Sequence, residues 1–78
     1  MKTADLVDLA RARRYATSGD GGRIRAAASL SLHEVAGAAG CSVTTVWRWE
    51  RGERAPRGAA AVAWAQLLND LQRASVKT

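Results

Sequence analysis

Phenylalanine is missing from these 78 residues, and cysteine, proline, methionine, histidine and tyrosine occur once each. A single cysteine excludes an intrachain disulfide. Cys41 sits among apolar residues and is expected to be a small buried filler, not a reactive or metal-bound thiolate. A free thiol suits a reducing cytoplasm. His33 has no second histidine to work with, and the seven acidic residues are scattered. No Cys/His set stands at metal-ligand spacing and no carboxylate pair is evident, so neither an enzyme nor a metal or other cofactor is expected. No apolar run is long enough to span a membrane, and an N-terminus carrying Asp5 and Asp8 does not read as a signal peptide. No small-molecule ligand is expected.

What is present is alanine, basic charge and three tryptophans. Hydrophobic residues make up 47% of the chain, but much of that is alanine, which loses little entropy on becoming helical. The composition predicts an all-α fold, and the length predicts one domain over 1–78. Twelve Lys and Arg against seven Asp and Glu leave a net charge of +5. In a small domain that excess favours a polyanionic partner, nucleic acid above all, over a role in solubility alone.

Punctuation along the chain predicts about five helices. The first spans Thr3 or Asp5 to Tyr15, with Leu6, Leu9 and Ala10 at helical spacing and Arg13 and Arg14 on other faces. Residues 16–22 are a breaker cluster with Ser18 or Asp20 as a cap. A helix over 21–28 is predicted to turn Ile24, Ala27 and Ala28 inward and Arg23 and Arg25 outward. Ser31 and Glu34 have the spacing of a capping box, and the helix they start ends at Gly40, which tolerates positive φ. Ser42 caps a helix from Val43 to about Arg51, closed by Gly52. Pro56 precedes a last helix over about 57–72, with Trp64, Leu67, Leu68 and Leu71 on one stripe.

The span 32–51 is the informative one. Ala36 is small enough for two helices to cross closely, and Gly40 lets the chain turn between them. Val46 and Trp49 supply the inner face of the second helix, with Cys41 packed just before it. Val43, Thr44, Trp47, Arg48 and Arg51 are then left on one outward face. Such a pair of helices is a helix-turn-helix, and its outward face fits a DNA major groove. Arg48 suits both acceptors of guanine, Thr44 a base edge or thymine methyl, and Val43 a thymine methyl. Trp47 is expected to touch a base methyl or sugar, to pack on a partner subunit, or to fold back on the last helix as partial core. Ser42 and Thr45, at the helix N-terminus, suit backbone phosphate. Arg51, Arg54 and Arg57 continue a basic rim interrupted by Glu50 and Glu53.

These residues, from Ser31-Leu32-His33-Glu34-Val35-Ala36 through Gly40 to Gly52 and Pro56, resemble the XRE/Cro-like helix-turn-helix family. The resemblance covers about 23–68 and implies a lambda-repressor-like bundle and a sequence-specific double-stranded DNA-binding regulator. By resemblance, Val43, Thr44 and Arg48 are base-contacting and Ser42, Arg51 and Arg54 backbone-contacting. Leu32 stands where the family often has Gln. Residues 1–20 form an N-terminal extension, expected either to cover the core or to touch DNA backbone through Arg11, Arg13 and Arg14.

A repressor of phage Cro type, bacterial or phage in origin, is therefore the leading expectation, with an operator DNA as partner. A protein-interaction module or antitoxin-like adaptor is the competing one. Family members are commonly dimeric, but no strong heptad is present here, and the homodimer stays open.

Overall fold

The computed structural model describes residues 1–76. They form five helices: α1 Thr3–Ser18, α2 Asp20–Ala27, α3 Leu32–Ala39, α4 Val43–Glu50 and α5 Gly58–Val76. No strand occurs among the described residues, so the all-α expectation holds. The principal dimensions are 34 × 26 × 22 Å.

Trp64 of α5 is the centre of the core and is fully buried. Trp49 of α4 lies 5.0 Å from it, ring centre to ring centre. Tyr15 of α1 meets it edge-on at 6.4 Å. Gly21 of α2 closes the remaining side: a Cβ there would stand 2.7 Å from the Trp64 ring. Val35, Ala36, Val46, Ala61, Ala65 and Leu68 fill the space between. Burial of large apolar rings is the main stabilising term in so small a domain.

The capping signals formed as expected. The Ser31 hydroxyl accepts from the Glu34 N–H at 3.0 Å, and the Glu34 carboxylate accepts from the Ser31 N–H at 2.8 Å. Those hydrogen bonds lower the Glu34 pKa from its usual carboxylate value. Gly40 takes φ 78°, and its N–H and that of Cys41 both reach the Ala36 carbonyl, which closes α3. Ser42 caps α4 by accepting from the Thr45 N–H at 3.1 Å.

The first two helices depart from expectation. The cluster 16–22 is not a turn of several residues: α1 runs on to Ser18, only Gly19 breaks the chain, and α2 starts at once with Asp20 inside it. Of the two predicted caps, Ser18 still serves α2, its hydroxyl accepting from the Asp20 N–H at 3.2 Å. The buried stripe of α1 is Leu9, Ala12, Tyr15 and Ala16, while Leu6 is 53% exposed and Ala10 is also exposed. Ala27 of α2 and Ala28 just after it are exposed and Arg25 turns partly inward instead, whereas Ile24 inward and Arg23 outward are as expected. The last helix begins near the predicted point and extends past Gln72.

Arg25 is turned inward because Glu50 waits for it. The guanidinium meets the Glu50 carboxylate twice, at 2.6 and 3.0 Å, and donates a third bond to the Leu30 carbonyl at 2.9 Å. The charge-assisted bond to Glu50 raises the Arg25 pKa further, so its charge is permanent. This contact fastens α2 to the end of α4. On the other side of the molecule the Tyr15 hydroxyl sits between the side-chain amides of Asn69 and Gln72, tying α1 to α5.

Candidate nucleic-acid interface

α4 is amphipathic in the sense a reading helix requires. Val46 and Trp49 are buried and hold it from behind, with the Trp49 ring packed at a tilt against Trp64. Thr44, Trp47, Arg48 and Arg51 are exposed together on the opposite face. The first turn is fixed by the Ser42 cap, to which the Thr45 hydroxyl adds a side-chain hydrogen bond of 2.8 Å.

Val43 departs from the outward face predicted for it. It is half-buried and packs against the core. The reason is rotational: at 3.6 residues per turn Val43 lies only about 60° around the helix from Val46, so it borders the buried stripe. The same arithmetic puts Glu50 about 40° from Val46. That placement was the available signal that Glu50 would need a buried partner, and the Arg25 pairing was missed without it. Cys41 is half-buried against the core as expected, and its burial pushes the thiol pKa up, away from reactivity.

Trp47 is 43% exposed and takes no part in the core. The Arg51 guanidinium lies over its ring at 4.7 Å and also pairs with Glu53 at 2.5 Å. This stack covers one face of the indole and sets the direction of Arg51. Leu32, at the position where the resembled family often has Gln, is half-buried against the core. It offers no polar group to the neighbouring helix or to a phosphate.

The basic rim lies in the loop after α4. Pro56 is buried and anchors that loop, while Arg54 and Arg57 point away from it and are exposed. Arg54 and Arg57 share a cleft with Thr45 of α4. Among the described residues, Arg48, Arg54 and Arg57 have no carboxylate partner. Thr44, Trp47, Arg48 and Arg51 thus share the exposed face of α4, Thr45 lines a cleft with Arg54 and Arg57, and Val43 borders the buried stripe. No group of three or more His, Cys, Asp or Glu side chains able to hold a metal occurs among the described residues. No described helix is long and apolar enough to cross a membrane.

A model of the helix-turn-helix domain family matches residues 22–72. No curated protein and no solved structure gives a match. The matched span begins in α2 and ends in α5, so it takes in both helices of the motif and leaves α1 outside. The chain belongs to the helix-turn-helix family, in its XRE/Cro-like group, whose members are DNA-binding regulators and typically not enzymes.

Proposed function

We propose that the chain is a sequence-specific, double-stranded DNA-binding repressor of Cro-like kind that sets α4 in the major groove of an operator. The observation that carries this reading is the division of α4 into a buried face of Val46 and Trp49 and an exposed one of Thr44, Trp47, Arg48 and Arg51. An exposed helical face rich in hydrogen-bonding groups, on a chain with net charge +5, suits base edges flanked by phosphates. Arg48 is the guanine reader, with both terminal amino groups uncommitted. Thr44 and Trp47 take neighbouring base edges or methyl groups, and the exposed part of Val43 borders them. Ser42, Thr45, Arg51, Arg54 and Arg57 take the phosphate backbone. Residues 1–78 act as one domain around the motif 32–51, in the cytoplasm where the operator lies. Repression follows if the operator overlaps the site a polymerase must use.

Selection of bound duplexes from a random pool, followed by affinity measurements over a salt series, tests the reading. An enriched motif is expected, with log affinity falling linearly in log salt by about 0.9 per phosphate neutralised. A palindrome with half-sites about one helical turn apart identifies a homodimer, and a lone half-site a monomer. The absence of both an enriched motif and a salt dependence would sink the DNA reading and favour the protein-interaction module or antitoxin-like adaptor, for which Trp47 is the exposed anchor.

A further inference from the structure

We infer that α1 adds a phosphate contact of its own to this interface, made by Arg13, on a strand of basic surface that runs from the first turn of α4 to the N-terminal extension. The inference rests on the DNA reading above.

Three arginines were available on α1, and the fold separates them. Arg11 and Arg14 line a cleft against α5 that they share with Tyr15, Asp20 and Gln72, and the acidic Asp20 lies in it. Arg13 faces the other way. Its Nε donates to the Pro56 carbonyl at 3.1 Å, across 43 residues of sequence. That bond uses one of five N–H donors and leaves both terminal amino groups to point at solvent.

Arg13 and Thr17 line a cleft of about 320 Å³ with Gly52, Arg54 and Pro56. Its lining holds two guanidinium groups and no carboxylate. Arg54 and Ala55 also line the next cleft, with Thr45 and Arg57. The two clefts therefore join at Arg54. They form one tract, Thr45–Arg57–Arg54–Arg13, that starts beside the proposed reading face. Among the described residues none of its three arginines has a carboxylate partner. Like charges are held together here without compensation, by a buried proline and a backbone hydrogen bond. A row of phosphates supplies the missing negative charge along the whole tract, whereas a single small anion would satisfy one cleft and leave the rest. The contact would carry no base information, since nothing in the Arg13 cleft reaches a base edge from the α4 face.

The experiment compares wild type with Arg13→Gln, Arg13→Lys, Arg54→Gln and Arg11→Gln on the selected duplex and on a random one, each over a salt series. Arg13→Gln is expected to lower affinity by the same factor on both duplexes and to reduce the log–log salt slope by about 1, as Arg54→Gln does. Arg13→Lys should keep the slope, and Arg11→Gln should match wild type. If Arg13→Gln keeps the wild-type slope while Arg54→Gln loses it, the inference fails and the DNA reading stands. If Arg13→Lys loses as much slope as Arg13→Gln, the residue only tethers the Pro56 carbonyl, and the inference also fails. A wild-type chain without salt-dependent binding overturns the DNA reading itself.

Discussion

Arg25 and Glu50 form a two-pronged ion pair whose side chains are only 21% and 10% exposed, with bonds of 2.6 and 3.0 Å between α2 and α4. Removing one partner strands the other charge in a largely dry site, which costs more than the pair contributes. Glu50→Gln is therefore expected to lower stability by about 2 kcal/mol, allowing for the partial exposure. In a domain of this size that shifts the thermal midpoint down by about 10 °C. Arg25→Lys should not rescue the loss, because an ammonium cannot serve both carboxylate oxygens and the Leu30 carbonyl at once. Thermal unfolding followed by circular dichroism checks both variants.

Two helical glycines are expected to respond to alanine with opposite signs. At Gly37 a Cβ meets nothing within 4 Å, so Gly37→Ala should stabilise α3 by about 0.5–1 kcal/mol through helix propensity and unfolded-state entropy. At Gly21 a Cβ would stand 2.7 and 2.9 Å from two atoms of the Trp64 ring. That ring is wedged between Trp49 and Tyr15 and has nowhere to go. Overpacking costs about 1–3 kcal/mol, which exceeds the propensity gain of about 1. Gly21→Ala should be net destabilising, and denaturant midpoints at unchanged slope distinguish the two cases.

On the reading face, Arg48→Ala is expected to cost about 1–3 kcal/mol of binding and to relax preference at one base pair. Trp47→Ala should alter which sequences are selected while changing stability by no more than about 1 kcal/mol, since an exposed cation–π contact is all the fold loses. Wild-type preference in both variants would mean that α4 does not read bases through these two positions. Repeating the selection with each variant decides the matter.

Acid sensitivity is expected at the start of α3. Glu34 has its pKa lowered by hydrogen bonds from Ser31, so its charged form is favoured in the folded chain. A carboxylate of this kind contributes stability above its unfolded pKa of about 4.3. That contribution fades as pH falls through the lower folded value. Stability of the wild type should fall more steeply than that of Glu34→Gln below about pH 4.3. Parallel curves for the two would show that the capping box holds no net charge advantage.

The elements α3 and α4 were legible because their signals are local. A Ser with Glu three residues on, a glycine at the turn and a second Ser before a Val-Trp stripe each act within one helical turn. The register of α1 and α2 was not, and alanine is the reason. Ala10 and Ala12, or Ala16 and Ala27, are chemically identical, yet one of each pair is exposed and the other buried. Only long-range packing, such as that of Tyr15 on Trp64, decides between them. Arg25 with Glu50 and Arg13 with Pro56 are contacts across 25 and 43 residues. Nothing local announces them, although the position of Glu50 beside the buried stripe of α4 hinted at the first.

The three tryptophans divide the labour of observation. Trp49 and Trp64 pack against each other at a tilt, shut away from water, whereas Trp47 stands 43% exposed on the proposed DNA-facing side under Arg51. Their fluorescence should therefore separate into two reporters without any label. Blue-shifted emission from the buried pair follows unfolding, and quenching of the solvent-facing indole follows occupation of the groove. In a Trp47→Phe variant the first signal should survive and the second disappear, so folding and binding can be followed independently in one cuvette.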